Sequence, residues 1–157
     1  MKIEIQLRQV VESDYSIFFE HHRDPVSARM AAFVTKDPDA GELAARWKRS
    51  LADESTMART IVEGGQVVGF VATFLREGKP QVTYWIARSH WGRGIATAAL
   101  SQLLRRVAAR PIYASAATHN QASLRVLEKC GFTVSGSRKA FAGARGEEIE
   151  EVFLQLG

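Results

Sequence analysis

Two short runs hold the residues whose types and spacing could do chemistry. The first is Trp91-Gly92-Arg93-Gly94, which stands immediately ahead of an apolar-periodic helical stretch. Glycines let a backbone come close to a ligand, and the first amides of a helix point outward without intrahelical partners. Together with the helix dipole they form a seat for a phosphate or pyrophosphate. A plain turn that uses glycine for steric room is the competing reading. Two phosphate-loop patterns fail here. No G-x-x-x-x-G-K-[ST] string exists, so a nucleotide-hydrolase loop is absent. Gly92 and Gly94 fit the start of a dinucleotide G-x-G-x-x-G, but Thr97 stands where its third glycine belongs. The stretch Ile112 to Asn120 also lacks the acidic residue which that fold needs.

The second run is Asn120-Gln121-Ala122-Ser123, about 25 residues further on. Asn120 is an ideal helix N-cap, and it could contact a ligand as well. Ser123 falls in the first helical turn, either as a solvated serine or as a hydroxyl donor. A third cluster, His21-His22-Arg23-Asp24, reads either as an acceptor-binding group or as the polar end of a helix. The two histidines are adjacent rather than four apart, so they do not form a metal-ligand pair, and no metal is expected. Cys130 is the single cysteine, which excludes an intrachain disulfide and fits a reducing compartment.

These runs need elements to position them. The start, Met1 to Arg8, alternates polar and apolar residues, with a strand expected over 3–8. Ser13 or Asp14 could cap a helix through Phe18, Phe19 and His22 that stops at Asp24-Pro25. A short helical piece over Val26 to Ala32 follows, then a helix begun at Asp37-Pro38-Asp39 that carries Leu43, Trp47 and Leu51. Met57 to Glu63 and Gln66 to Arg76 read as strands joined by the Gly64-Gly65 turn. Gln81 to Arg88 is apolar or aromatic on both faces, as for a central strand. The helix after the glycine loop places Ala96, Leu100, Leu103 and Val107 on one stripe, and Pro111 breaks it. Ile112 to Ala117 is a strand, and Leu124 and Leu127 sit on a helix that Gly131 closes. Phe132 to Arg138 and Ile149 to Leu156 complete the chain. The order βααβββαβαββ implies a single α/β (α+β) domain over 1–157, with a mixed, mostly antiparallel sheet flanked by helices.

Composition bounds the partners. The 157 residues are 46% hydrophobic and 24% charged, enough for one self-sufficient core and incompatible with disorder. The net charge is +4, which suggests an anionic partner without naming it. A nucleic-acid surface would cluster Lys and Arg with stacking aromatics, whereas the basic residues here are scattered, with the pair Arg105-Arg106 on a helix whose outer face is solvated anyway. The strongly apolar stretch around Val67 to Leu75 is far shorter than the roughly 20 residues of a membrane span. A cytoplasmic protein with neither nucleic-acid nor membrane partners is expected.

With these residues in view, the sequence resembles the GNAT superfamily of acetyl-CoA-dependent N-acetyltransferases, closest to its ribosomal-protein N-terminal acetyltransferase-like branch. One motif is Tyr84-Trp85-Ile86 followed by His90-Trp91-Gly92-Arg93-Gly94-Ile95-Ala96-Thr97. Gly94 and Ala96 match the superfamily's [QR]-x-x-G-x-[GA], and Trp91 replaces the Gln or Arg, as in this branch. The other is Asn120 to Ser123 with Leu127-Glu128-Lys129-Cys130-Gly131-Phe132. The resemblance implies that acetyl-CoA is the co-substrate. It implies that backbone at Ile86, Ala87 and Arg88 pairs with pantetheine. Trp91, Gly92, Arg93, Gly94, Ile95, Ala96 and Thr97 would cradle the pyrophosphate, Arg93 adding its charge. Asn120 would meet the pantetheine end. Ser123 would be the donor to the leaving thiolate, since Leu127 stands where many relatives carry a tyrosine. On the acceptor side it points to the first helices, with His22 and the run Arg29-Met30-Ala31-Ala32-Phe33, to Tyr84 on the central strand, and to the stretch Ser137 to Glu148 before the last strand.

The implied activity is acetyl transfer to a primary amine, either a protein N-terminus or a small molecule. Its chemistry needs a neutral amine, a donor for the oxyanion and help for the thiolate. The general base departs from the family pattern. Gln81 and Ala142 stand where relatives carry Glu, which leaves His22, Asp24, Glu148 and Glu151, or a water relay. The other reading is a non-catalytic acyl-CoA sensor. Acceptor recognition rests on this domain's own helices and loop or on a second copy in a homodimer.

Overall fold

The computed structural model describes residues 3–157, so Met1 and Lys2 of the alternating N-terminal run lie outside the described residues. The chain runs β1 (Gln6–Gln9), α1 (Asp14–His22), α2 (Pro25–Ala31), α3 (Ala40–Ala52), β2 (Met57–Glu63), β3 (Gln66–Arg76) and β4 (Lys79–Ile86). A 3₁₀ turn (Arg88–His90) leads to α4 (Ile95–Leu104), β5 (Ile112–Ala117), α5 (Gln121–Lys129), β6 (Thr133–Ala142) and β7 (Glu147–Leu156). The seven strands form one sheet in the order β1-β2-β3-β4-β5-β7-β6. All neighbours are antiparallel except β4 and β5, which run parallel.

The sheet is covered on both faces, so the apolar run of β3 is buried continuously from Val68 to Thr73. On one face Leu100, Leu103 and Leu127 of α4 and α5 close over Val71, Val82 and Ile112. On the other, Phe18 of α1 and Leu43 and Trp47 of α3 pack on Ala58, Phe70 and Ala72. Trp47 meets Phe18 at 5.0 Å and stands edge-on to Phe70 at 4.9 Å, so one aromatic knot ties both helices to the sheet.

Several expected boundaries shift for local reasons. The short helical piece expected over Val26 to Ala32 is α2, so three helices precede β2 where the order βααβββαβαββ counted two. Asp24 caps α2 by accepting from the Ser27 amide at 3.1 Å, with Pro25 in its first turn. Ser13 makes no side-chain cap on α1; the Asp14 carboxylate instead turns back to the Val11 amide, to Arg8 and to Thr60. α4 stops at Leu104 rather than Val107, because i−3 bonds from Arg106 and Val107 tighten its last turn. β1 begins at Gln6 rather than Ile3, while β6 runs on past Arg138 to Ala142 against β7. β4 ends at Ile86, and Arg88 opens the 3₁₀ turn. Among the described residues, no helix is long and apolar enough to cross a membrane.

β3 and β4 pair over eight registered positions, Gly69–Arg76 against Ile86–Lys79, and β5 pairs with β7 along its whole length. Between β4 and β5 the register holds only at Gln81 and Tyr113. Beyond that rung the two central strands part.

Candidate active site

The gap opens a cleft of about 360 Å³ in the middle of the sheet. Its banks are the end of β4 (Tyr84, Trp85, Ile86), the glycine loop with the start of α4, and the first turns of α5. Ser27, Met30 and Ala31 of α2 close one side. Ladder alternation sets which backbone groups face the gap. Ala87 donates to the Val68 carbonyl of β3 at 2.8 Å, so Tyr84 and Ile86, at the other parity, turn their amides toward the missing β5 partner. Unpaired amides inside a sheet seek a partner, and a ligand lying in the gap supplies one.

Gly69 allows this shape. A Cβ there would overlap the Trp85 carbonyl oxygen, so only glycine lets β3 approach β4 this closely beside the β2 irregularity at Ile61 and Val62. On the loop, Gly94 holds φ +80° as the N-terminal cap of α4 and offers no side-chain cap. The Ala98 amide reaches the Gly94 carbonyl at 3.1 Å, which leaves the amides of Ile95, Ala96 and Thr97 directed outward from the helix start.

The cofactor residues expected from sequence divide. Ile86, Trp91, Gly92, Arg93, Gly94, Ile95, Ala96, Thr97 and Asn120 line the cleft; Ala87 and Arg88 do not. Ala87 donates its amide to Val68 and its carbonyl accepts from the His90 amide, so its backbone is engaged within the protein. The Arg88 guanidinium pairs with Asp24 at 3.0 Å, which binds the turn to the cap of α2. Arg93 lines the cleft, but its Nη1 lies 2.9 Å from Glu63, so its charge is already partnered. Trp91 donates its indole N–H to the Ile86 carbonyl at 2.9 Å and props the loop against the strand end. Asn120 both lines the cleft and caps α5, accepting from the Ser123 amide at 3.2 Å.

Ser123 stands across the gap from Tyr84. Their hydroxyl oxygens are 2.7 Å apart, and the Tyr84 Oη is 3.2 Å from the Ser123 carbonyl oxygen. Burial pushes the Tyr84 phenol up to about 12, against a smaller opposing effect from its bond to Ser123. Tyr84 therefore stays protonated at any physiological pH.

Of the four acceptor-side residues, Tyr84 alone lines the cleft. His22 serves packing instead. It stacks on Trp85 with centroids 4.0 Å apart, and its Nδ1 lies 2.7 Å from the Phe18 carbonyl. A carbonyl can only accept, so Nδ1 carries the proton. Burial lowers the His22 pKa to about 4, and the ring is neutral. Arg29 is exposed, and its carbonyl receives bonds from His119 and Arg145. Phe33 packs against Ala32, Ala117 and Ala142 and does not line the cleft. The positions where a base was sought are inert: Gln81 forms the last β4–β5 rung and Ala142 is fully buried. Asp24 is spent on its cap and on Arg88, Glu151 on Arg138 at 3.2 Å. The lining contains no Asp or Glu. Among the described residues, no group of three or more His, Cys, Asp or Glu is placed to hold a metal ion.

On the α2 wall, Met30 and Ala31 fall in the run that the resemblance named for the acceptor side, and Ser27 is an addition. Sequence reasoning missed two further features. Trp85 lines the cleft with its indole N–H buried and unpartnered within the protein. Arg125 and Lys129, one helical turn apart on α5, line the cleft as exposed cations. Their i,i+4 spacing with Ser123 on the same helix was the available signal.

Comparison with known proteins agrees with this geometry. A family model described as an acetyltransferase (GNAT) domain matches residues 4–133. No curated protein sequence matches. Among solved structures, an N-acetyltransferase from Staphylococcus aureus Mu50 superposes with a TM-score of 0.84 at 18% identity, covering 98% of both chains. A phosphinothricin acetyltransferase from Sinorhizobium meliloti, in complex with AcCoA, gives 0.83 at 21% identity over 96% of this chain and 86% of its own. A ribosomal-protein-alanine N-acetyltransferase from Brucella melitensis gives 0.81 at 21% identity over 96% of this chain and 98% of its own.

Proposed function

The chain belongs to the GNAT acetyltransferase family, and from that premise we propose that it moves an acetyl group from acetyl-CoA to a primary amine. The observation that carries this reading is the parting of β4 from β5 beside an uncapped helix start. An extended pantetheine arm has the shape and hydrogen-bonding groups of the missing strand, and a pyrophosphate suits the loop amides. The residues present fit that substrate. The Tyr84 and Ile86 backbone edge takes the arm, and Gly92 to Thr97 takes the pyrophosphate. Arg125 and Lys129 offer two cations at the cleft for the remaining phosphate.

In the transfer, the amine nitrogen attacks the thioester carbonyl as its neutral form. An α-amine titrates near ~8, so a useful fraction is neutral without a carboxylate base. That accords with a cleft lining free of Asp and Glu. A β4 amide on the open edge, at Tyr84 or Ile86, is the donor for the developing oxyanion, and the other serves the arm. Ser123 Oγ donates a hydrogen bond to the departing sulfur, whose thiol pKa is about 8.5 and which therefore leaves without full protonation. The acceptor enters over α2 and the Trp85 side of the cleft.

The test mixes the purified protein and acetyl-CoA with α-amine peptides, lysine peptides and small amines, and follows free thiol. Release confined to one acceptor class identifies the substrate. A rise in melting temperature with acetyl-CoA but no thiol release from any acceptor would instead mark an acyl-CoA sensor. No stabilisation by any acyl-CoA would end the reading.

A further inference from the structure

We propose that Tyr84 is the residue that aims the Ser123 hydroxyl at the thioester sulfur. The inference rests on the acetyl-transfer reading and goes beyond it by giving a role to a side chain which sequence placed with the acceptor. Tyr84 is on β4 and Ser123 on α5, so the 2.7 Å contact spans the gap between the two banks of the cleft. A phenol is the stronger donor of the two hydroxyls, and a serine oxygen is the better acceptor. With Tyr84 donating, Ser123 Oγ has its acceptor side filled from the strand, and its own hydrogen must point elsewhere. The Ser123 carbonyl, 3.2 Å from the Tyr84 Oη, offers the phenol a second and longer acceptor. The Ser123 amide is held by Asn120 at 3.2 Å, so the backbone beneath the hydroxyl is also fixed. The direction left for the serine hydrogen is the cleft.

The pair donates a hydrogen bond and keeps its protons. Burial holds the Tyr84 phenol at about 12. Moving its proton through Ser123 to a thiolate of pKa about 8.5 would be uphill by roughly 3.5 units, a factor of about 3,000. The step therefore balances without a change in either hydroxyl. The C–N bond forms, the C–S bond breaks with its electron pair on sulfur, and the proton lost by the amine goes to solvent. Tyr84 touches neither the sulfur nor the amine; it sets the direction and polarity of the one hydroxyl that does.

The experiment compares wild type, Tyr84→Phe, Ser123→Ala and the double variant by thiol release under saturating acceptor, with thermal melts of each. Loss of one positioned hydrogen bond should lower kcat roughly tenfold in Tyr84→Phe. KM for acetyl-CoA should stay within about twofold, since the ring and the backbone edge remain. In the Ser123→Ala background, Tyr84→Phe should cost nothing more; in the Ser123→Thr background, which keeps a hydroxyl, the loss should return. An unchanged kcat in Tyr84→Phe, or losses that multiply in the double variant, would overturn the proposal. Should Tyr84→Phe melt far below wild type, 3-fluorotyrosine at position 84 keeps the shape with a more acidic phenol. Faster single-turnover transfer is then expected, and an unchanged or slower rate refutes the role. Wild type that turns over beside a silent Tyr84→Phe sinks this inference alone. Wild type that releases no thiol sinks the acetyl-transfer reading and this inference with it.

Discussion

Replacing Asp14 by Ala should cost about 3 kcal/mol of folding free energy, and the figure follows from what each of its partners loses. The carboxylate is almost fully buried at the head of α1. It accepts from Arg8 at 2.8 and 2.9 Å, from the Val11 amide at 3.0 Å and from the Thr60 hydroxyl at 2.7 Å. Thr60 is wholly buried on β2, so its orphaned hydroxyl costs about 1–3 kcal/mol, and the Val11 amide adds about 1. Arg8 is 41% exposed and can turn to water, so its share is discounted to at most about 1 kcal/mol. A chain of this size should lose about 6–12 °C in Tm. Asp14→Asn keeps an oxygen for Thr60 and Val11 and should lose about half as much.

The effect depends on pH with a defined sign. Burial raises the Asp14 pKa, but the bonds from Arg8, Val11 and Thr60 outweigh it and bring it below its ordinary 3.8. The carboxylate's contribution is therefore complete above about 3.8 and lost as pH falls through the lower folded value. Urea melts at pH 7 and at several values below 4 provide the assay. A loss under about 1 kcal/mol at neutral pH, or a gap between wild type and Asp14→Ala that persists unchanged below pH ~2, refutes the reasoning. The consequence for the site is direct, because α1 also carries His22, whose ring backs Trp85 at the cleft.

Arg125→Glu with Lys129→Glu should raise KM for acetyl-CoA by roughly tenfold or more, with a flatter salt dependence. Steady-state titration should show the effect shrinking for the 3′-dephospho analogue. Gly69→Ala drives a Cβ into the Trp85 carbonyl. It should destabilise the fold by about 2 kcal/mol and lower kcat as Tyr84 to Ile86 shift, read by denaturation and thiol release together. His22 must stay neutral in the folded protein, with its pKa moved from 6.5 to about 4. Wild-type stability is therefore complete above about 6.5 and falls toward 4, whereas melts of His22→Phe should be less sensitive to pH across that window.

Local codes made much of this fold readable. β2, β3 and β5 span Met57–Glu63, Gln66–Arg76 and Ile112–Ala117 as expected. Their apolar runs and glycine turns are decided by neighbours along the chain. The Asn120 cap and the glycine loop were readable for the same reason. Pairings between distant residues were not. Nothing in the spacing of Tyr84 and Ser123 announces their contact, nor does any motif join Arg93 to Glu63. His22 shows the limit most clearly. As a residue type it suits ligand binding, but the chain folds it onto Trp85 and Phe70, where burial removes its charge. On the α2 wall the resemblance pointed to Met30 and Ala31, whereas Ser27 carries no signal until a sheet edge opens beside it.

The single rung at Gln81 and Tyr113 divides the sheet into a four-stranded sector, β1 to β4, and a three-stranded one, β5 to β7. Above that rung they are coupled through helices and side chains rather than by a strand ladder. On the proposed function, a thioester substrate lying between them would be a structural member as well: it would restore hydrogen bonding across the sheet and stitch the two sectors together. Its release would undo the stitch, so the coupling of the two sectors would be made and broken once per turnover.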